Sequence, residues 1–170
     1  MKVKQFALIC FCLLFSRCFF FYTFSGISIP VEAETFFIQT FDEKLNGIYT
    51  PPPTLFQDFT DALIDKVKNE SSLVQTNDDP DIEFKGSFTR YNVSYVAPKG
   101  GEEVSFNRLE VSISVEYIYK HDEEQNWTKT FSFFSDFDVS ANLIDVQESL
   151  LEEIVEQLIE DIFNKAFTNW

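Results

Sequence analysis

The side chains of this sequence that could carry out acid–base or nucleophilic chemistry are its single histidine and its many carboxylates. His121 lies beside Asp122 in the stretch HDEEQN, so a Ser-His-Asp triad would have to be built on this residue. Its charged and polar neighbours predict a solvent-exposed turn instead. The sequence also contains no nucleophile-elbow, zincin, phosphate-loop or dinucleotide-binding signature. These observations predict that the protein is not an enzyme.

Metal binding and nucleic-acid binding are both disfavoured by the residue types present. Cys10, Cys12 and Cys18 all lie in the first 18 residues, and the chain has one histidine. It therefore lacks the ligands of a zinc site built on cysteine or histidine, and its acidic residues show no EF-hand spacing. With 28 acidic against 13 basic residues, the net charge is −15, which repels nucleic acid. We expect no cofactor, no metal and no nucleic-acid partner.

Cys18 follows an apolar run near the N-terminus. MKVK is a short basic stretch and QFALICFCLLF is uncharged and apolar, a pattern typical of a secretory signal peptide and too short for a membrane-spanning helix. Lipoprotein signal peptidases favour Leu three positions before the cysteine and small residues directly before it. Ser16 fits this pattern, Phe15 is tolerated in it, and Arg17 departs from it. The local sequence leaves open two interpretations: residues 1–17 as a lipoprotein signal peptide with lipidation at Cys18, or an uncleaved anchor helix or buried strand.

Two amphipathic helices are predicted by apolar side chains that recur every three or four residues. The first begins at Thr54, a candidate N-cap with Gln57 as its capping-box partner, and runs to about Lys68. The second runs from about Ser140 to Ala166 and has an apolar face opposite an acidic face. We expect both apolar faces to pack against a sheet.

Four strands are predicted by alternating or clustered apolar side chains, at about 34–41, 81–96, 108–120 and 127–137. The strand at 108–120 alternates most regularly, with one apolar face and one polar face. In the strand at 81–96, Gly86 is the predicted bulge or bend. The order β-α-β-β-β-α predicts an α+β two-layer sandwich, in which two helices pack on one face of a four-stranded, mostly antiparallel sheet.

Several stretches resemble the LptE family, in particular its Bacteroidetes branch. Cys18 followed by YTFSGISIP resembles the start of the mature family members, and PPPTLFQDFTDALIDKV resembles their first helix. DIEFKGSFTRYNV and NRLEVSISVEY resemble the second and third strands. FSDFDVS and EEIVEQLIEDIFNKAFTNW resemble the exit of the fourth strand and the closing helix. The resemblance covers residues 18–170 and rests on the order and spacing of these stretches.

The resemblance implies a fold of two helices and four strands and a function without catalysis. Members of the family are outer-membrane lipoproteins, held by an N-terminal lipid with the domain facing the periplasm. They plug the β-barrel protein LptD, help it assemble, and help deliver lipopolysaccharide to the outer leaflet. For this chain the resemblance implies lipidation at Cys18, a lipid-anchored segment at 18–33 and a single folded domain at 34–170. The alternative is a generic periplasmic or surface lipoprotein that binds a soluble ligand or another protein.

Because lipopolysaccharide carries phosphates, the resemblance also directs attention to cations that could contact it. The candidates in this acidic chain are Lys85, Arg90, Lys99 and Arg108. The interpretation of each of them as an ordinary surface charge is the favoured one. We further expect the loops at 97–103 and 120–126 to enter the barrel or meet its extracellular loops.

Overall fold

The computed structural model describes residues 27–45, 47, 49–97 and 105–168. Residues 1–17, Cys18 and Lys99 lie outside the described residues, so the predictions made for them stay predictions. In the described part of the chain, the buried apolar side chains form one cluster between a layer of two helices and a sheet.

The elements of the described residues follow one another in the order β-β-α-β-β-β-β-α. They are β1 (Thr35–Ile38), β2 (Asp42–Glu43), α1 (Leu55–Glu70), β3 (Val74–Gln75), β4 (Ile82–Val96), β5 (Phe106–Tyr119), β6 (Trp127–Asp138) and α2 (Leu143–Phe167). A short 3-10 turn at Glu123–Gln125 connects β5 to β6. The two predicted helices and the four predicted strands are therefore present, with ends that differ by a few residues.

Helix α1 packs its apolar stripe against the sheet. Phe59, Leu63 and Val67 are fully buried, because positions three or four residues apart share one face of a helix. The predicted capping box is wrong. Thr54 has helical backbone angles and makes no side-chain cap hydrogen bond, since a capping hydroxyl needs an extended backbone at that position. The amide of Gln57 instead donates to the carboxylate of Asp61, 2.9 Å away.

Helix α2 begins three residues later than predicted. Asn142 caps it: its backbone is extended, and its side-chain oxygen accepts a hydrogen bond from the amide N–H of Ile144 at 3.2 Å. This bond satisfies one of the donors that a helix start leaves unpaired. Lys165 in the last turn complements the helix dipole. The buried face of the helix includes Leu158 and Phe163.

Strands β4, β5 and β6 form an antiparallel meander that makes up most of the sheet. β5 lies in the centre, and its alternate side chains from Leu109 to Tyr119 are buried under the helices. The intervening side chains point to the opposite face, as the two-residue period of a strand requires. The one-sided alternation predicted for this strand is confirmed.

The sheet has more strands and more parallel pairing than predicted. Its order is β3-β1-β4-β5-β6, with β2 also paired to β4, which gives six strands among the described residues. β1, β2 and β3 all pair in parallel; Phe36 lies opposite Ile82, for example, and Asp42 lies opposite Ser87. The prediction of a four-stranded, mostly antiparallel sheet is therefore wrong in its strand number and at this edge, while the α+β two-layer class is confirmed. β2 and β3 have two residues each and are too short to give a periodic signal.

The bulge in β4 does not lie at the predicted Gly86. The register with β5 shifts between Phe88 and Arg90, so Thr89 is the additional residue. Gly86 has a different role, because a Cβ atom there would lie 2.3 Å from a ring carbon of Phe41. The glycine allows this ring to pack directly on the strand.

Candidate functional site on the open face of the sheet

The two helices cover one face of the sheet, and the other face of β4, β5 and β6 carries mostly polar side chains. We call this second face the open face and assign its members from the pairing register. They are Glu83, Lys85, Ser87, Arg90, Asn92, Ser94, Val96, Phe106, Arg108, Glu110, Ser112, Ser114, Glu116, Ile118, Thr128, Thr130, Ser132, Phe134, Asp136 and Asp138. The open face therefore presents rows of hydroxyl, amide and paired charged groups.

Three of the four cations predicted to contact lipopolysaccharide lie on the open face: Lys85, Arg90 and Arg108. Lys99 lies outside the described residues. The bulge at Thr89 is what brings Arg90 to the same face as Lys85. In a regular strand, two residues five positions apart would point to opposite faces. The structure thus collects these three side chains on one surface, although they are spread along it.

The two cations on β4 are each paired with a carboxylate of the same face. The ammonium of Lys85 lies 2.8 Å from Glu83, and the guanidinium of Arg90 lies 3.2 Å from Glu110. Both contacts are partly exposed, so each contributes little to stability. A phosphate that approached either cation would have to compete with the resident carboxylate.

Arg108 is held more firmly than the other two. Its Nε donates to Oδ1 of Asp136 at 2.7 Å and its Nη2 donates to Oδ2 at 2.8 Å. The guanidinium carbon also lies 3.5 Å from the ring centre of Phe134. The hydrogen bond from Arg108 lowers the pKa of Asp136, and the same bond raises the pKa of Arg108. The result is a fixed ion pair beside an aromatic ring that is 43% exposed.

The open face runs between two different ends of the sheet. At the N-terminal end, Ile27 forms a bridge with Thr168, and the amide N–H of Ser28 donates to the carbonyl of Phe167 at 2.6 Å. We call the opposite end, at which β4 ends with Val96 and β5 begins with Phe106, the hairpin end. There β4 and β5 pair with each other beyond Tyr91, in a part of β4 that no longer pairs with β1 or β2. β5 has 14 residues, so the two ends lie about 45 Å apart at roughly 3.3 Å per residue.

The two loops predicted to enter a barrel belong to opposite ends of the sheet. The turn at 120–126 follows Tyr119, which is at the N-terminal end. The loop at 97–103 follows Val96 at the hairpin end, and only its first residue, Ala97, is described. If the molecule enters a lumen along its long axis, one of the two loops leads and the other stays behind.

A cluster of hydrogen bonds at the N-terminal end involves the histidine that was expected to be solvated. Nε2 of His121 lies 2.8 Å from Oδ1 of Asp81. Oδ2 of Asp81 accepts hydrogen bonds from the Thr35 hydroxyl at 2.7 Å and from the amide N–H groups of Glu34 and Thr35 at 3.0 and 2.9 Å. These bonds, that from the Thr35 hydroxyl foremost, hold the pKa of Asp81 well below its usual range.

The Asp81 cluster ties together segments that are distant in the sequence. Its donors come from the start of β1 and from the β5–β6 turn, 46 and 40 residues away from Asp81. The carboxylate already accepts bonds on both of its oxygens, which suits a structural clamp rather than a catalytic base. Sequence reasoning missed Asp81 because its partners are non-local. The one local signal was an acidic side chain directly before a strand.

The described residues contain no group of three or more His, Cys, Asp or Glu side chains placed to hold a metal ion. In the same part of the chain, every helix is too short or too polar to cross a bilayer. We take the open face as the candidate site because it presents paired charges and exposed aromatic rings.

The sequence matches the model of one protein family over residues 33–166, and that family is described as LptE, lipopolysaccharide-assembly. The match covers well over half of the chain. The chain belongs to the LptE family. No curated protein matches its sequence.

Solved structures share the LptE-like fold at very low sequence identity. A hypothetical protein from Chlamydia trachomatis has a TM-score of 0.55 and 6% identity, over 79% of this chain and 98% of its own. A protein from Xanthomonas campestris has a TM-score of 0.54 and 8% identity, over 81% and 87%. A minor lipoprotein from Acinetobacter baumannii has a TM-score of 0.47 and 11% identity, over 74% and 89%. The first two show that the fold is shared, and nothing more.

Membership of the LptE family confirms the resemblance seen in the sequence. It also confirms the prediction that the protein is not an enzyme, because the family acts in lipopolysaccharide assembly without catalysing a reaction. The chain is thus a member of a family of lipoproteins of lipopolysaccharide assembly. For such a protein, the relevant chemistry is that of contact surfaces rather than of a reaction centre.

Proposed function

We propose that this LptE-family chain plugs an LptD-type β-barrel, helps it to assemble, and aids delivery of lipopolysaccharide to the outer leaflet. In this proposal the hairpin end of the sheet lies inside the barrel and the N-terminal end lies at its periplasmic mouth. The observation that carries the orientation is the position of Ile27, paired with Thr168 about 45 Å from the hairpin end.

The length of the sheet supports this orientation. The hydrocarbon core of a bilayer is about 30 Å thick, so a sheet about 45 Å long reaches across it from a starting point on the periplasmic side. A domain held at its N-terminal end would therefore bring Val96 and Phe106 toward the outer leaflet. The turn at 120–126 would remain on the periplasmic side.

The polar character of the open face also supports a place inside a barrel. The lumen wall of a membrane barrel alternates polar side chains inward. Serine and threonine side chains such as Ser114, Thr128 and Thr130 can exchange hydrogen bonds with such a wall. Contacts of this kind hold two proteins together without a large apolar interface, often with water between them.

Lipidation at Cys18 is the proposed means of attachment. Residues 1–17 would be removed as the signal peptide, and Cys18 lies nine positions before Ile27, which spans at most about 30 Å of extended chain. The lipid would then anchor in the leaflet that faces the periplasm, next to the N-terminal end. A single acyl chain binds a membrane weakly, so several chains together with capture by the barrel would provide lasting attachment.

Among the cations proposed to contact lipopolysaccharide, Arg90 is the best placed. Its side chain is 57% exposed and makes one ion-pair contact, with Glu110 at 3.2 Å. Arg108 is 31% exposed and is engaged by Asp136 through two hydrogen bonds. Lys85 and the undescribed Lys99 complete the proposed set. Since the carboxylates of the open face repel phosphate, we propose scattered contacts rather than a basic patch.

Co-purification in detergent tests the proposal. Full-length protein should recover an LptD-type barrel, and mass spectrometry of the same sample should find a mature N-terminus at Cys18 carrying acyl chains. Ser94→Arg places a bulky charge on the hairpin end and should lower recovery of the barrel. Glu124→Arg, which places the same side chain on the exposed turn at the N-terminal end, should leave it unchanged. Recovery of the chain without any barrel would favour a generic lipoprotein that binds a soluble ligand.

A further inference from the structure

A groove runs between α1 and α2 on the side of the helix layer that faces away from the sheet. It consists of two adjoining hollows of about 590 and 560 Å³. Leu55, Leu151 and Ile159 are buried at its floor, Val155 is half-buried, and Ile144 is 77% exposed. We call this feature the interhelix groove.

The groove exists because α2 has more apolar positions than the sheet can cover. One stripe of the helix, including Ile154 and Leu158, is fully buried in the core. A second stripe, at Ile144, Leu151 and Val155, lines the groove instead. These positions are seven and four residues apart, so they lie on one face of the helix. From Ile144 to Ile159 this face extends about 22 Å.

The rim of the groove is strongly acidic. Asp58, Glu148, Glu152 and Glu156 line it, and Lys66 is the cation among the lining residues of the described chain. Lys66 is itself paired with Glu160 and Glu70. The two helices together carry eleven acidic side chains against three lysines, a net charge of −8, which is more than half of the −15 of the chain. The open face, by contrast, carries five acids against three cations.

We propose that the interhelix groove is a docking site for a cationic amphipathic helix of another protein. A third helix can lie between two others by packing its side-chain ridges into their groove. Its apolar face would cover Ile144 and Val155, and its lysine or arginine side chains would meet the acidic rim. A length of about 16 residues would match the 22 Å of the groove. The proposal goes beyond barrel plugging. Because α2 starts five residues after β6 ends at the hairpin end, this docking would take place on the chain before that end enters a barrel.

The charge of the groove argues against two other occupants. A second copy of this chain would bring an identical rim, with five carboxylates and one lysine among the described lining residues, against this one, which is repulsive at close range. An anionic lipid surface would be repelled in the same way. A cationic segment is the partner for which the apolar floor and the charged rim both contribute to binding, and electrostatic attraction would also speed its association.

The test measures binding of a designed peptide to full-length protein held in nanodiscs of zwitterionic lipid, with empty nanodiscs as background. The probe is a fluorescent 16-residue peptide with leucines on one helical face and lysines elsewhere, followed by anisotropy. Its control is a peptide of the same composition in scrambled order. We expect the amphipathic peptide to bind about tenfold more tightly than the scrambled one, since the scrambled peptide keeps the charge and loses the apolar face.

Variants of the chain separate groove binding from general attraction. Glu148→Gln, Glu152→Gln and Glu156→Gln together should weaken binding about tenfold. Glu43→Gln, Glu116→Gln and Glu123→Gln together remove the same amount of charge at exposed positions away from the groove. This second triple variant should weaken peptide binding less than about twofold.

Ile144→Ser removes an exposed apolar contact without touching the core, and it should weaken the amphipathic peptide about fivefold while leaving the scrambled one unchanged. Circular dichroism checks that each variant is folded. Equal binding of the two peptides would overturn the proposal. So would equal losses in the two triple variants, or self-association of the chain through this face in sedimentation.

Discussion

The two ends of the sheet use their aromatic side chains in different ways. At the N-terminal end, Phe84, Tyr117 and Phe167 pack edge to face in the core, with ring centres 5.3 to 6.5 Å apart. Burial there raises the pKa of Tyr117 to about 12. At the hairpin end, Phe106 and Phe134 lie on the open face and are 39% and 43% exposed. One end holds the fold together, and the other end offers surface for contact.

Two charged groups show the same contrast, although the Arg108–Asp136 pair toward the hairpin end is also held firmly. Asp81 at the N-terminal end accepts four hydrogen bonds and joins segments that are distant in the sequence. Toward the hairpin end, Arg90 and Glu110 form an exposed pair on the surface. The proposed role as a plug would need a stable body and an end that can form contacts with a barrel. The comparison indicates that this chain keeps the two tasks at opposite ends.

The largest expected difference concerns two phenylalanines. Phe167→Ala removes a ring that is 1% exposed and contacts three core aromatics. It should lower the free energy of unfolding by about 3–5 kcal/mol. Phe106→Ala, the matched change at the hairpin end, should cost about 0.5 kcal/mol. Urea unfolding of both variants measures this difference, and similar losses would show that the two ends are not divided in this way.

A smaller effect is expected from Asp81→Asn. An asparagine amide cannot accept all the hydrogen bonds that the carboxylate accepts, so stability at pH 7 should fall by about 2 kcal/mol. Asp78→Asn, on an exposed loop nearby, serves as the control and should have almost no effect.

The pH dependence of Asp81 has a definite sign. Its pKa is lower in the folded protein than the ordinary value of about 4, so the folded state binds fewer protons below that pH. Its contribution to stability is therefore present above about pH 4 and is lost as the pH falls through its folded pKa. Unfolding measured from pH 7 to pH 2 should show a flatter acid decline for Asp81→Asn. If the stability of Asp81→Asn declined with falling pH as steeply as that of the unchanged chain, Asp81 would not be the structural clamp described above.

The smallest effects concern cations of the open face. Arg90→Gln should change stability by less than about 0.5 kcal/mol, because its pair is exposed. If Arg90 contacts lipopolysaccharide, the same variant should capture about half as much of it in a pull-down, as expected for one exposed charge contact. Lys129→Gln, on the helix-covered face of β6, should capture as much as the unchanged chain. Equal capture by both variants would remove Arg90 from the proposed set.

Local patterns predicted the helices and the long strands, and they failed where pairing is non-local. The stripe in α1 and the alternation in β5 are visible in the sequence because periodicity is a local property. The parallel pairing of β1 with β4 brings together Phe36 and Ile82, which are 46 residues apart, and no local pattern encodes it. β2 and β3 could not be predicted because strands of two residues give no periodic signal and their parallel pairing is also non-local.

The candidate site shows why a small error in predicting the position of a strand bulge matters. The sequence named Lys85 and Arg90 as candidate cations but assigned the irregularity of β4 to Gly86. The structure places the additional residue at Thr89, and this residue decides that Arg90 shares a face with Lys85. The two candidate cations could therefore be identified from the sequence. That they share one face of the sheet could not, because this depends on the position of one bulge.

The measurement that tests the proposed orientation most directly is site-specific photocrosslinking in cells that contain the chain and an LptD-type barrel. A photoreactive amino acid would replace either Ser94 at the hairpin end or Glu124 at the N-terminal end, both of which are exposed. The account predicts a covalent adduct with the barrel from position 94 and none from position 124. An adduct from position 124 alone would contradict it.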